Sequence, residues 1–583
     1  MCGSVALLNT STDAELAART ALHLLESRGP DGSGIAVASN SAIGHCRLAL
    51  RDEAAGGQPI HLSDGRTMSY VGELYNENLL RNILKLSGWT PSTASDTEIL
   101  SRAIESWGDQ VWNRLDAMFA IMLLSDDGGL LQLVRDRFGV KPIFFARSDT
   151  HVAAASQPSA LREIGYCETA SRVSVLHFLK TSQVTLHDRS IWHGVTLAPP
   201  GTQTTLTVES ANQVTWAAPL TFGEPDFVTS DKSQRLTHLL SEAVYRQSQA
   251  DTPVGIYLSG GVDSSILAAL LANMRRETIH TFAIALEGDT EDLEYARLVA
   301  QHIHSDHKEV LVDSDEFFAR MRELTQLRAL PVSLPNEVLI YRLSLEAKSK
   351  VKAVLSGEGA DEFFGGYHRL QSRLRNSNGS LQEVLTAYRD STTWFKDSDL
   401  RSALRTEDGL DDANKIDNAG LANLLDGVSA EHAARALLIK DHFPHLLLRL
   451  DGASMSGSIE GRVPFTDADV VKFALSLSAA ELLPAFGLEK PVLRKSGVGL
   501  LPEAILRRPK RAFHASLAHL FASRAGQLEL DRAKKQSLIA KLFDSEKLEQ
   551  VLSEDRETQV FHRTWLICSL GQWSELCGVS EIN

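Results

Sequence analysis

Val254-Gly-Ile-Tyr-Leu-Ser-Gly-Gly-Val-Asp-Ser-Ser265 decides the fold of the second half of the chain. Val254 to Leu258 is a short apolar run bounded by turn residues, the pattern of a buried strand. It feeds a Ser/Gly turn and then Ile266-Leu-Ala-Ala-Leu-Leu271, an apolar run that reads as helix. A strand, a Gly-rich turn and a helix start bring several backbone N–H groups and the positive end of a helix dipole to one point, an arrangement that binds phosphate. No Gly-Lys-Ser/Thr follows, so the turn is not a Walker A loop.

Outward from this loop the apolar runs alternate between strand and helix lengths from about residue 230, which argues for a parallel α/β sheet. Thr281-Phe-Ala-Ile-Ala-Leu286 reads as the next strand. Val351-Lys-Ala-Val-Leu355 reads as another, feeding Ser356-Gly-Glu-Gly-Ala-Asp-Glu362 and Phe363-Phe-Gly-Gly-Tyr367. Residues 1 to about 215 follow a different pattern. Short strands such as Phe119-Ala-Ile-Met-Leu-Leu124 and Leu130-Leu-Gln-Leu-Val134 are separated by Gly, Asp and Pro turns. Consecutive short strands with few long helices imply a layered antiparallel sheet. The expected domains are therefore 1–215 and 230–583.

Composition agrees with a soluble enzyme. The chain has 583 residues, 43% hydrophobic and 23% charged, with a formal net charge of −15. That balance argues against general nucleic-acid binding. No apolar run approaches the roughly 18 residues of a membrane span. The N-terminus lacks the basic and apolar regions of a signal peptide. Cys2, Cys46, Cys167, Cys568 and Cys577 have no paired short spacing, so neither a disulfide framework nor a zinc site is indicated. A cytoplasmic location is expected.

At the N-terminus stands Met1-Cys-Gly-Ser4. Met before a small residue is readily removed, which would make Cys2 the first residue. Its freed α-amine, with a pKa near 7.7–8, is then a built-in general base for the thiol. Behind Cys2 come Ser27-Arg-Gly-Pro-Asp-Gly32, Gly44-His-Cys-Arg-Leu-Ala49, Gly72-Glu-Leu-Tyr-Asn76, Ser95-Asp-Thr-Glu98 and Arg135-Asp-Arg-Phe-Gly-Val-Lys-Pro142.

In this order the segments resemble the class II glutamine amidotransferase domain, an N-terminal-nucleophile glutaminase, over most of residues 1–160. The resemblance implies that Cys2 attacks the glutamine side-chain amide, forming a glutamyl thioester and releasing ammonia. It places Arg47 on the glutamine α-carboxylate, Asp96 on the ammonium, and the Gly72–Glu73 backbone along the pocket. One departure stands out. The family's Asn-Gly-Glu-Ile-Tyr-Asn is here Val71-Gly-Glu-Leu-Tyr-Asn76. The Asn side chain donates to the oxyanion and Val71 cannot, a loss that typically costs about 10²–10³ in rate. A slow glutaminase, or one whose donor comes from elsewhere, is expected.

The Ser259–Ser265 loop resembles the pyrophosphate loop of N-type ATP pyrophosphatases. With Arg462-Val-Pro-Phe465, Glu489-Lys490 and Leu493-Arg-Lys495, the whole order resembles glutamine-hydrolysing asparagine synthetases, more weakly through about 370–440, which reads as helical, and over the last 60 residues. The resemblance implies an ATP site at Leu258, Ser259, Gly260, Gly261, Asp263, Ser264, Ser265, Ile284, Ser356 and Gly357. It also implies Mg²⁺ on Asp263 and Asp361, Glu358 as acid/base or positioning carboxylate, and Lys490 opposite the phosphates. The implied chemistry is adenylation of a carboxylate, loss of pyrophosphate, and capture by ammonia. Homodimers are common in such enzymes.

Two further clusters have plain readings. His302, His304 and His307 would not converge on a helix end and read as surface or structural residues. Arg507-Arg-Pro-Lys-Arg511 follows an apolar helix, whose C-terminal dipole it complements, and matches a basic turn of the family. The acceptor is open. Ala329-Leu-Pro-Val-Ser-Leu-Pro-Asn-Glu-Val338 lacks the basic or Asp-Pro-Ser elements usual in asparagine synthetases, and Gly452 stands where a basic residue is usual. Three readings follow: an amide-forming synthetase acting on aspartate or a relative; a tailoring ligase of the β-lactam synthetase or lasso-peptide cyclase kind with a vestigial glutaminase; and a non-catalytic relative.

Overall fold

The computed structural model describes residues 2–10, 13–52, 56–223, 231–367, 370, 380–482, 488–511, 513 and 515–583. The N-terminal half is two antiparallel sheets. One has eight strands, with Gly3–Leu8 hydrogen-bonded between Ser41–Arg47 and Val152–Ala155. The other has six, with Thr67–Leu74 and Ala117–Leu124 paired over eight residues at its centre. Gly3–Leu8 is buried along its whole length, so the residue that enters it, Cys2, is held by a strand with neighbours on both sides. The helices here are more substantial than the strand-rich reading suggests. Ala14–His23, Glu77–Leu86, Asp96–Trp107 and Arg172–Thr181 each run 10 to 12 residues.

The second half is built on a five-stranded, all-parallel sheet. Its order is Asp306–Val312, His280–Leu286, Val254–Tyr257, Ala353–Leu355 and Glu460–Arg462. Helices cover it, as parallel strands buried on both faces require. The loop after the central strand Val254–Tyr257 opens the helix Val262–Met274. Gly260 sits at φ +68°, and a Cβ there would lie 2.6 Å from the backbone N of Ala296, so no larger residue fits this turn. Between residues 381 and 456 the regular elements are helices joined by short loops. The helix Ala430–Leu437 passes through a π turn, Leu438–His442, into Phe443–Ser456. No helix among the described residues is long and apolar enough to cross a membrane.

The halves are joined by buried charge. Asp451, on Phe443–Ser456, takes Arg28 at 2.9 Å and Lys141 at 3.0 Å, with all three side chains at 0–1% exposure. Arg462, on the last strand of the parallel sheet, reaches Glu73 at 3.0 Å and donates to the carbonyls of Gln247 and Gln249 at 2.8 Å each. Lys352 pairs with Asp31 at 2.7 Å and Ser458 donates to the Ser27 carbonyl at 2.7 Å.

Removing one partner of a buried charge set strands the others, at a cost of about 3–5 kcal/mol. Asp451→Ala is therefore expected to lower the thermal unfolding midpoint by several degrees, whereas Glu15→Ala, which breaks an exposed pair with Arg19, leaves it nearly unchanged. Equal midpoints in differential scanning fluorimetry would contradict the assignment.

Candidate active site

Cys2 is 8% exposed. Burial pushes its thiol pKa up, with the positive amino terminus and a hydrogen bond from the Leu48 backbone pulling the other way. Its carbonyl accepts from Arg28 Nε at 3.2 Å. The same guanidinium that holds Cys2 is the one paired with Asp451 of the other half.

The residues expected around the glutamine are tied together by positions 51 and 52. Arg47, at the end of its strand, donates to the carbonyls of Arg51 and Asp52 at 2.8 Å each. Asp52 in turn accepts from the Ala94 backbone at 3.0 Å, just ahead of the helix that starts at Asp96. The Asp96 carboxylate accepts from the Leu74 backbone and the Tyr70 hydroxyl at 3.4 and 3.3 Å. Gly72 and Glu73 lie on Thr67–Leu74 beside them. The Glu73 carboxylate is engaged by Arg51 at 2.7 Å and by Arg462, which leaves only its backbone for a substrate. Val71 is 1% exposed and pairs with Ala120 in the sheet. Its side chain brings no hydrogen-bond donor.

The second centre lies at the phosphate loop. Ser264 accepts from the Ser259 backbone at 3.2 Å and Ser265 donates to the Gly261 carbonyl at 2.7 Å. These bonds hold the turn open against the helix start. Leu258, Ser259, Asp263, Ser264, Ile284, Ser356, Gly357, Glu358 and Asp361 all line one cavity of about 1190 Å³. Gly260, Gly261 and Ser265 do not line it; they shape the loop behind it.

Lys490 does not line the cavity; from behind its wall it places Nζ 2.6 Å from both carboxylate oxygens of Asp263 and 2.7 Å from Asp361. It does so from a left-handed backbone conformation, φ +56°. Lys510 takes the other oxygen of Asp361. Burial works against the Asp361 charge, but the two ammonium groups hold its pKa well below the usual carboxylate range. Gly366 permits this, because a Cβ there would lie 1.8 Å from Asp361 Oδ1. Glu358 is paired with Arg449, which also donates to Asn336 Oδ1 at 3.2 Å.

Lys510 was not legible as a site residue. It lies in the basic run whose plain reading was a helix end, but the run divides its charges. Arg508 pairs with Asp292 and lies 4.0 Å over the Tyr295 ring, Arg511 takes Asp289 and Glu291, and Lys510 alone turns into the cavity. The three histidines are used separately. His302 bonds the Leu500 carbonyl, His304 holds a turn at φ +54°, and His307 meets Thr281 and Glu309.

The cavity continues past Arg449 and Gly452 to Arg28, Ser156 and Gln157 of the N-terminal half. Ser156 accepts from the Ser4 backbone at 3.0 Å, two residues from the thiol-bearing Cys2. A void thus runs from the phosphate loop to the floor of the Cys2 sheet.

Comparison with known proteins agrees with this two-centre layout. Residues 1–217 match the glutamine amidotransferase domain model, and residues 235–575 match the asparagine synthase model. A putative glutamine-hydrolysing asparagine synthetase of Mycobacterium bovis is 29% identical over 91% of this chain and 89% of its own length. Asparagine synthetase 3 of Bacillus subtilis is 27% identical over the same shares. A probable asparagine synthetase of Schizosaccharomyces pombe is 28% identical over 88% of this chain and 84% of its own. With both domains matched across nearly the whole length, a ligase with a vestigial first domain is not favoured. The chain belongs to the asparagine synthase family.

Proposed function

We propose that the chain hydrolyses glutamine at Cys2 and uses the ammonia to amidate a carboxylate that it has first adenylated with ATP. The observation that carries this reading is the single cavity that joins the Asp263–Lys490–Asp361–Lys510 cluster to the underside of the Cys2 strand.

In the first half-reaction the Cys2 sulfur attacks the glutamine amide carbon. The C–N bond breaks after proton transfer to nitrogen, ammonia leaves, and water hydrolyses the thioester. Arg47 and Asp96 hold the amino-acid end of glutamine, and the Gly72 N–H faces the oxyanion. In the second, the acceptor carboxylate oxygen attacks the α-phosphorus of ATP and pyrophosphate departs. Ammonia then attacks the acyl carbon and AMP leaves. Lys490 and Lys510 balance the charge that builds on the departing pyrophosphate, an electrostatic role preset before substrate arrives. Glu358, held by Arg449, takes the proton that the attacking nitrogen sheds.

Asp263 and Asp361 fit Mg²⁺. Both carboxylates already converge on one cationic nitrogen, and Mg²⁺ commonly takes one or two carboxylates plus phosphate oxygens and water. When bound it would neutralise phosphate charge. A cytoplasmic setting is supported by five cysteines that are all free.

Cys2→Ala should abolish glutamine-dependent pyrophosphate release and leave ammonium-dependent release intact; loss of both would refute the two-centre scheme. Because burial raises the Cys2 thiol pKa, the thiol is protonated near neutrality, and inactivation by iodoacetamide should accelerate steadily from pH 7 to pH 9. A rate flat across that range would show a thiolate already formed. Val71→Asn restores an oxyanion donor, and glutaminase kcat should rise by about 10²-fold; no rise would mean that another group already serves. Lys510→Ala should cut pyrophosphate release by roughly 10²-fold, while Arg507→Ala, at an exposed position, stays within about twofold.

A further inference from the structure

Beyond the phosphate loop, the cavity is walled by Tyr367, Trp394, Leu438, Leu446 and Phe561. The cavity, about 1190 Å³ in all, includes the passage toward Ser156 and Gln157 as well as this apolar stretch.

The cations on this wall are each already paired with a carboxylate. Among the described residues the Arg and Lys side chains that line the cavity are Arg28, Arg328, Arg449 and Lys510. Arg28 is held by Asp451, Arg328 by Glu337 at 3.2 Å, Arg449 by Glu358, and Lys510 by Asp361. The Arg328–Glu337 pair is locked at both ends. Ser333 donates to Glu337 at 2.5 Å, and Arg328 donates to the Pro331 carbonyl at 3.3 Å. Arg328 also fills the space above Gly452, where a Cβ would lie 2.9 Å from its NH1. His442 and His445 add no cation. Burial lowers His442 to about 4 and His445 well below its ordinary value, and the neighbouring Arg449, His177 and His187 act in the same direction.

A free α-amino acid brings a second carboxylate and an ammonium. To be held here its second carboxylate would have to displace one already paired with Arg28, Arg328, Arg449 or Lys510, and at Arg28 and Arg328 the carboxylate left behind is buried, which is strongly unfavourable. One neutral side chain on this cavity has neither of its polar atoms hydrogen-bonded. Gln157 is 3% exposed, lines the same void, and neither its side-chain oxygen nor its nitrogen has a hydrogen-bond partner. A buried amide without partners is costly; a ligand amide would satisfy both atoms.

We infer that the acceptor is a carboxylate carried on a neutral, largely apolar body that contains amide bonds, an N-acylated amino acid or a peptide chain, in place of a free amino acid. The inference rests on the amide-forming reading above and uses the same bond changes: the acceptor oxygen bonds to the α-phosphorus, pyrophosphate leaves, and ammonia displaces AMP.

The test is pyrophosphate release by the full-length chain with Mg-ATP and ammonium. The acceptors are L-aspartate, L-glutamate, their N-acetyl α-carboxamide derivatives, and capped tripeptides with aspartate or glutamate at the centre. A capped acceptor should exceed both free amino acids at least tenfold in kcat/KM. Trp394→Ala, which removes apolar wall, should raise KM for that acceptor roughly tenfold and leave KM for ATP unchanged. Free aspartate or glutamate turning over as well as every capped acceptor would overturn the inference and leave the amidation reading standing. Release with no acceptor at all would overturn both.

Discussion

The carboxylate of Asp451, shared between Arg28 and Lys141 with almost no solvent exposure, is the interaction on which the rest of the molecule depends. Three charges out of water are tolerable only because each is satisfied, and the geometry that satisfies them fixes one half of the chain against the other. Arg28 carries the constraint further, since its Nε also holds the Cys2 carbonyl. The position of the thiol is thereby set partly by a residue of the second half. Arg462 repeats the device a short way off, linking the edge of the parallel sheet to Glu73.

The phosphate-loop centre uses the opposite logic. There the charges are gathered to be redistributed. Two carboxylates and two ammonium groups balance in the resting structure, so the cluster pays little for its burial. On the reading proposed above, a polyphosphate entering beside them would find the cations already oriented, the reorganisation that water would have to undergo having been done during folding. The strained backbone at Lys490 belongs to the same arrangement, since it aims the side chain between Asp263 and Asp361.

What could be read from the sequence was what depends on neighbouring residues. The Ser259–Ser265 turn announces itself because a tight strand-to-helix connection needs glycine at Gly260 and hydroxyls to hold it. Cys2, Arg47 and Asp96 were singled out as candidates by the ordered segments around them. What could not be read depends on distance along the chain. Asp451 meets Lys141 across 310 residues and Glu358 meets Arg449 across 91, and no local pattern records either. Lys510 was hidden for another reason: in a run of five basic and proline residues, only packing reveals which side chain turns inward. The helices of the first half were underestimated because their apolar positions, as in Glu77–Leu86, are spaced among polar ones and do not stand out beside the continuous apolar strands.

The π turn at Leu438–His442 has a bearing on how such a cavity changes over time. One residue more than an α-helix needs is accommodated there, and each residue turns a helix by about 100°. Downstream of it, His445, Arg449 and Gly452 share the face that looks into the cavity, with His442 of the turn itself. Upstream, Ala433, Ala436 and Leu437 pack into a separate helical core. A single codon gained or lost at this turn would rotate one face against the other while leaving the strands, the phosphate loop and the Cys2 sheet untouched. On the amide-forming reading, such a change would alter the far end of the cavity and spare the phosphate loop.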